Sequence, residues 1–187
     1  MDKQIEIAVD VLRGGGLILY PTDTVWGIGC DATNAEAVAR IYALKRSENK
    51  HSMLVLCSSA DMVVRYVDKA PGIAFEVMEM AASPLTLILP GATGVAANLI
   101  PEERTLGVRV PDHEFCRRLI SKFGRPIVST SANISGQETP KKLGEISQEI
   151  ISGVDLVINP RWQGRPTGKP SSIIAFGEGG EVKIIRK

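Results

Sequence analysis

Histidine is nearly absent: His51 and His113 are the only two in 187 residues. That leaves little scope for a zinc cluster or a histidine general base. Cysteine is scarce too. Cys30, Cys57 and Cys116 are odd in number and widely spaced, which argues against a disulfide framework and for free thiols in a reducing compartment. Neither sign of charge dominates, because 22 Lys and Arg face 21 Asp and Glu for a net charge of +1. The whole surface is therefore no nucleic-acid magnet, although local patches stay open. No apolar run approaches the ~20 residues that span a bilayer. Met1 leads into Asp2, Lys3, Gln4 and Glu6, unlike a secretory leader. A cytoplasmic protein without membrane association is expected. Ser-His-Asp, HExxH and Walker-type patterns are all missing, and Gly14-Gly15-Gly16 precedes a strand instead of following one, so no dinucleotide fingerprint is present.

What is present suits one domain over residues 1–187, since 44% hydrophobic and 23% charged residues provide a sizeable core. Ile5, Val9 and Leu12 recur at helical spacing until the glycine triplet stops them. Residues 17–20 form an apolar strand that Pro21 cuts off. Thr33-Asn34-Ala35-Glu36 resembles a capping box that opens a helix to about Lys45. Strands are expected at 53–57, 85–89, 106–110, from 126 into Ser129, and at 154–158. Helices are expected at 59–66, 71–81, from Asp112 to about Phe123, and over 140–152. Residues 160–170 read as a loop. Residues 172–176 and 181–185 read as a hairpin around Gly177 and Gly180. Strands interleaved with helices predict an α/β fold around a twisted, mixed, open sheet.

Several segments carry groups suited to chemistry. Ser129-Thr130-Ser131-Ala132-Asn133 closes a strand with small donors and acceptors, which suit either a capped turn or a ligand site. Pro21-Thr22-Asp23-Thr24-Val25-Trp26-Gly27 places polar groups at another strand end, with Trp26 either an apolar wall or core. Lys45-Arg46 ends a helix and Lys50 follows. Cations there complement the helix dipole or bind phosphate. Arg109 stands within an apolar strand, facing either solvent or an inward anionic partner, and Arg186 poses the same choice. With no nucleophile and no obvious base, chemistry would rest on positioning and charge stabilisation.

Taken in order, six segments resemble the YrdC-like family of threonylcarbamoyl-AMP synthases: 15–27, Lys45-Arg46, 83–89, 107–111, 129–133 and 170–174. The resemblance implies a YrdC-like fold with a concave electropositive face, in the short form without an extra C-terminal domain. It implies a nucleotidyltransferase that makes threonylcarbamoyl-AMP and pyrophosphate from L-threonine, bicarbonate and ATP for the t6A37 modification of tRNA. Thr24, Arg109, Ser131 and Ser171 would then bind threonine. Lys45, Lys50, Thr105, Ser131, Asn133 and Arg186 would bind ATP, with Lys45 and Arg46 catalytic. Mg2+ would arrive on the nucleotide and the protein would supply no metal ligands. Implied partners are tRNA or double-stranded RNA and the tRNA threonylcarbamoyl-transferase machinery. A YciO-like RNA-binding or ribosome-maturation protein lacking this activity is the alternative. One departure stands out. The family carries Lys-x-Arg where this chain has Lys45-Arg46-Ser47, and one residue turns a helical side chain by about 100°.

Overall fold

The computed structural model describes residues 2–47 and 53–187. Its first helix, α1 (Asp2–Arg13), buries Ile5, Val9 and Leu12, the periodic stripe seen in the sequence. It ends where Gly15 takes a left-handed conformation (φ 76°) that other residues adopt at a cost. Strand β1 (Ile18–Pro21) follows, fully buried, and turns into β2 (Trp26–Gly29). Helix α2 (Ala35–Lys45) is capped by Asn34, whose side chain accepts from the backbone N–H groups of Glu36 and Ala37. Thr33 is not the cap, because its hydroxyl and amide are both held by Asp31.

The chain continues through β3 (Leu54–Leu56), the short helices α3 (Ala60–Val64) and α4 (Gly72–Glu79), β4 (Leu85–Pro90) and β5 (Thr105–Arg109). Next come α5 (Glu114–Phe123), β6 (Ile127–Ser131), α6 (Gln148–Gly153), β7 (Leu156–Val157) and the hairpin β8 (Ser172–Phe176) with β9 (Val182–Arg186). Asp112 does not cap α5. His113 occupies that position without a side-chain hydrogen bond to the helix's first turn, while Asp112 pairs with Arg117 at 2.5 Å. The helix expected over 140–152 shrinks to a 3-10 turn at Leu143–Glu145 and α6.

The strands form one mixed nine-stranded sheet in the order β7-β1-β2-β6-β3-β5-β4-β8-β9. Parallel pairing occurs for β1 with β7, β3 with β5 and β4 with β8; the other neighbours run antiparallel. This is one α/β domain with the predicted mixed, open sheet. Helices α1 and α5 pack on each other and hold much of the core, with Leu12, Phe115, Leu119 and Ile120 almost wholly removed from water. Each such side chain contributes roughly 1.5–3 kcal/mol relative to exposure. Strand β6 occupies the middle of the sheet. Its first residues pair with β3 and its last with β2, so its polar end emerges between two supporting strands.

Candidate functional site

Strand β6 carries Ser129, Thr130 and Ser131 to the edge of a cavity of about 260 Å3. Thr130 lies opposite Ile28 and Ser131 opposite Gly27, which fixes how far the hydroxyls project. Gly27 lines the cavity for a steric reason: a Cβ there would sit 3.3 Å from the Thr130 carbonyl oxygen and 3.4 Å from Ser129 Oγ. Trp26 lines the same wall while remaining buried, and its indole N–H donates to Gln163 Oε1 at 3.0 Å. Among the described residues, the wall contains two arginines, seven serine or threonine side chains and no carboxylate. That set favours an anionic, hydrogen-bonding ligand.

Arg109 enters from the end of β5 and is only 4% exposed. Its Nη1 donates to Asp23 Oδ1 at 2.8 Å and to Thr24 Oγ1 at 3.3 Å. Its Nε is buried and has no hydrogen-bond partner among the described residues. The guanidinium therefore points inward, the costlier of the two orientations the sequence allowed, and a buried acid offsets that cost. Across the cavity, Ser171 Oγ and Thr86 Oγ1 lie 2.7 Å apart, and the Ser171 carbonyl accepts from Arg186 Nε at 2.8 Å. This bond holds Arg186 at the rim, and its outer guanidinium groups take no partner among the described residues.

A second hollow of about 570 Å3 lies beyond Asp23. It is larger, but Asp23, Glu79 and Asp112 share its wall with Arg117 and Arg165. Its mixed charge makes it a poorer receptacle for a phosphorylated or carboxylated ligand. We therefore take the smaller, carboxylate-free cavity as the candidate site.

Residues 10–187 match the Sua5/YciO/YrdC family model, whose description reads telomere recombination. The chain belongs to this family. A threonylcarbamoyl-AMP synthase of Halorhodospira halophila is 34% identical over 167 residues, spanning 88% of this chain and 87% of that one. The synthase of Pseudoalteromonas translucida is 31% identical over 172 residues, with 90% and 91% covered. Among solved structures, P. abyssi Sua5 in complex with L-threonine superposes with a TM-score of 0.83 at 29% identity, over 92% of this chain and 50% of that one. E. coli YciO superposes with a TM-score of 0.86 at 28% identity, covering 100% and 90%.

Of the residues the sequence singled out, Thr24, Arg109, Ser131, Ser171 and Arg186 meet on the cavity wall. Lys45 lies outside that wall, at the end of α2. Its Nζ donates to the main-chain carbonyls of Ser131 and Asn133. Burial pushes its pKa down to about 8, because removal from water disfavours the charged ammonium. Asn133 is likewise off the wall, with its Nδ2 donating to the carbonyls of Ile134 and Gln137. Thr105 begins β5 and Arg109 ends it, so at ~3.3 Å per residue they lie about 13 Å apart. Arg46 departs furthest from expectation. It ends α2 in a left-handed conformation (φ 51°), its side chain is 68% exposed, and it pairs with Glu149 at 2.6 Å. Lys50 lies outside the described residues.

Thr22, Ser129, Thr130 and Thr139 also reach the cavity. The first three belong to segments already marked as polar strand ends, although none was assigned a role. Thr139 had no local signal beyond its place before a proline.

Proposed function

We propose that this chain is an L-threonylcarbamoyladenylate synthase, a nucleotidyltransferase that converts L-threonine, bicarbonate and ATP into threonylcarbamoyl-AMP and pyrophosphate. The observation that carries this reading is a cavity whose described lining holds no carboxylate, with Arg109 buried at one side and Arg186 anchored at the rim. The named synthases and the threonine-bound structural neighbour support it.

Arg109 lines the cavity with Nη1 held by Asp23 and Thr24, and the guanidinium so fixed receives the threonine carboxylate. Such planar, charge-assisted pairing is strong and directional. Thr24, Ser131 and Ser171 supply hydroxyls for the amino-acid side chain and amine. Protonated bicarbonate releases water to give CO2, and the neutral amine nitrogen bonds to its carbon and passes a proton to solvent, giving a carbamate. A carbamate oxygen then bonds to the α-phosphorus, and the bond to the bridging oxygen breaks, so pyrophosphate leaves. Arg186 faces the charge that develops on the phosphates, a role that needs position more than covalent chemistry. Lys45 fixes the backbone of Ser131 and Asn133 from beneath.

Magnesium arrives on the triphosphate in this reading. Among the described residues, no three His, Cys, Asp or Glu side chains converge on one point. The product serves t6A formation in tRNA and is handed on to a threonylcarbamoyl-transferase. Among the described residues, no helix is long and apolar enough to cross a membrane.

The test is pyrophosphate release from ATP in the presence of L-threonine and bicarbonate. Release should require both co-substrates. A rate unchanged by omitting threonine refutes the synthase. Salt-sensitive tRNA binding without ATP turnover would instead establish the RNA-binding alternative.

A further inference from the structure

We infer that Asp23 is a positioning residue for threonine recognition, acting through Arg109. This rests on the synthase reading and deepens it. Asp23 lies on the wall of the second hollow and not on that of the candidate site, so it does not face the substrate cavity itself. Among the described residues, its carboxylate is nevertheless the one acid paired with the arginine that does. Oδ1 accepts from Arg109 Nη1 at 2.8 Å, and Oδ2 accepts the backbone N–H of Asp112 at 3.1 Å. The backbone carbonyl of Asp23 accepts from Thr167 N–H at 2.9 Å, and that of Thr24 accepts from Gly168 N–H at 2.9 Å. Asp23 is thus fixed from three directions and transmits that fixity to the guanidinium.

The consequence is geometric. An arginine fork recognises a carboxylate only when its plane is set correctly. Asp23 and Thr24 together take up Nη1, and this fixes the plane in which the guanidinium meets the cavity. A guanidinium without this brace would hold the same charge in a range of orientations. Substrate would then have to order it on binding, at an entropic cost.

Asp23→Asn tests this directly. An amide can satisfy Arg109 or the Asp112 N–H, but not both with oxygen, so the brace is lost while shape is kept. Titration calorimetry with L-threonine should show binding weakened by roughly tenfold or more. Binding of ATP, titrated separately, should change by less than about twofold, and steady-state assays should place the effect in the threonine KM more than in kcat. Arg109→Gln should abolish more affinity than Asp23→Asn. The double variant should equal Arg109→Gln alone, because a residue acting through another has nothing left to act on. Removing both charges also protects the double variant from an uncompensated buried cation. Asp23→Glu retains the charge but shifts the carboxylate by one methylene, and should still weaken threonine binding.

Additive losses in the double variant, equal losses for ATP and threonine, or unchanged threonine binding in Asp23→Glu would each overturn the positioning role. Wild-type protein that binds no threonine would overturn the synthase reading itself, and this inference with it.

Discussion

Lys45 Nζ lies 2.5 Å from the carbonyl oxygen of Ser131 and 2.6 Å from that of Asn133, so the last residue of α2 fastens the loop leaving β6. Carbonyl dipoles partly compensate a buried ammonium but do not neutralise it. Its pKa accordingly falls from 10.5 to about 8.

Stability should report that shift. Below pH about 8 the folded and unfolded chains both hold the proton, and the burial penalty is fully present. Between about 8 and 10.5 the unfolded chain binds more protons, so unfolding free energy rises with pH. The gain attributable to Lys45 is about 3 kcal/mol. Cys57 acts oppositely, since burial pushes its thiol up to about 12 and stability falls as the unfolded thiol ionises near 9. The comparison must therefore be with Lys45→Met. Urea unfolding should show the wild-type advantage growing by about 2–3 kcal/mol from pH 7.5 to 10.5. A difference that stays flat across that range contradicts the buried-ammonium account.

Arg109→Lys keeps the positive charge and removes the fork. Losing a charge-assisted hydrogen bond costs about 1.5–3 kcal/mol, so threonine affinity should drop ~10- to 150-fold. ATP affinity should hardly move. Equal threonine affinity in calorimetry would show that another group receives the carboxylate.

Arg46→Gly separates a site role from a capping role. The φ of 51° favours glycine, whereas the partner contact to Glu149 is solvent-exposed on both sides. Removing the left-handed strain contributes about 1 kcal/mol, and an exposed ion pair contributes about 0–1 kcal/mol. Thermal stability should stay level or rise, and pyrophosphate release should stay within about twofold of wild type. A rate that collapses while the Tm holds would place Arg46 in the chemistry.

The parts legible in the sequence were those written in local pattern. The stripe of α1, the run in β1, the β8–β9 hairpin and the polar end of β6 each follow from spacing or from residue type. The side of β5 that Arg109 would face was not local, because it depends on Asp23, 86 positions earlier. Strand β2 was hidden because Trp26-Gly27-Ile28-Gly29 has two glycines and weak intrinsic strand preference. It forms because β1 and β6 supply partners on either side. Lys45 carried no sign in the sequence of lying beneath the cavity wall. Its role as a brace depends on where the β6 loop passes, which is again a tertiary matter.

The two glycines of β2 give a paired prediction, because a Cβ would meet different surroundings at each. At Gly29 it would lie 2.6 Å from the Val128 carbonyl oxygen and 2.8 Å from a Tyr20 ring carbon, both held within the sheet. Neither can yield without shifting backbone or a fully buried ring, so Gly29→Ala should destabilise by about 2 kcal/mol. For a domain of this size that corresponds to a Tm loss of roughly 4–8 °C. At Gly27 the nearest atoms lie at 3.3 and 3.4 Å, a tight fit on the cavity wall that small adjustments can accommodate. Gly27→Ala should therefore lower the Tm by less than about 4 °C. The added methyl occupies space beside Ser129 and Thr130, so its main effect should be a several-fold rise in substrate KM. Thermal unfolding and the pyrophosphate assay, run on both variants, distinguish the two. If Gly29→Ala instead impaired substrate binding at normal stability while Gly27→Ala unfolded the protein, the cavity wall would have been assigned to the wrong glycine.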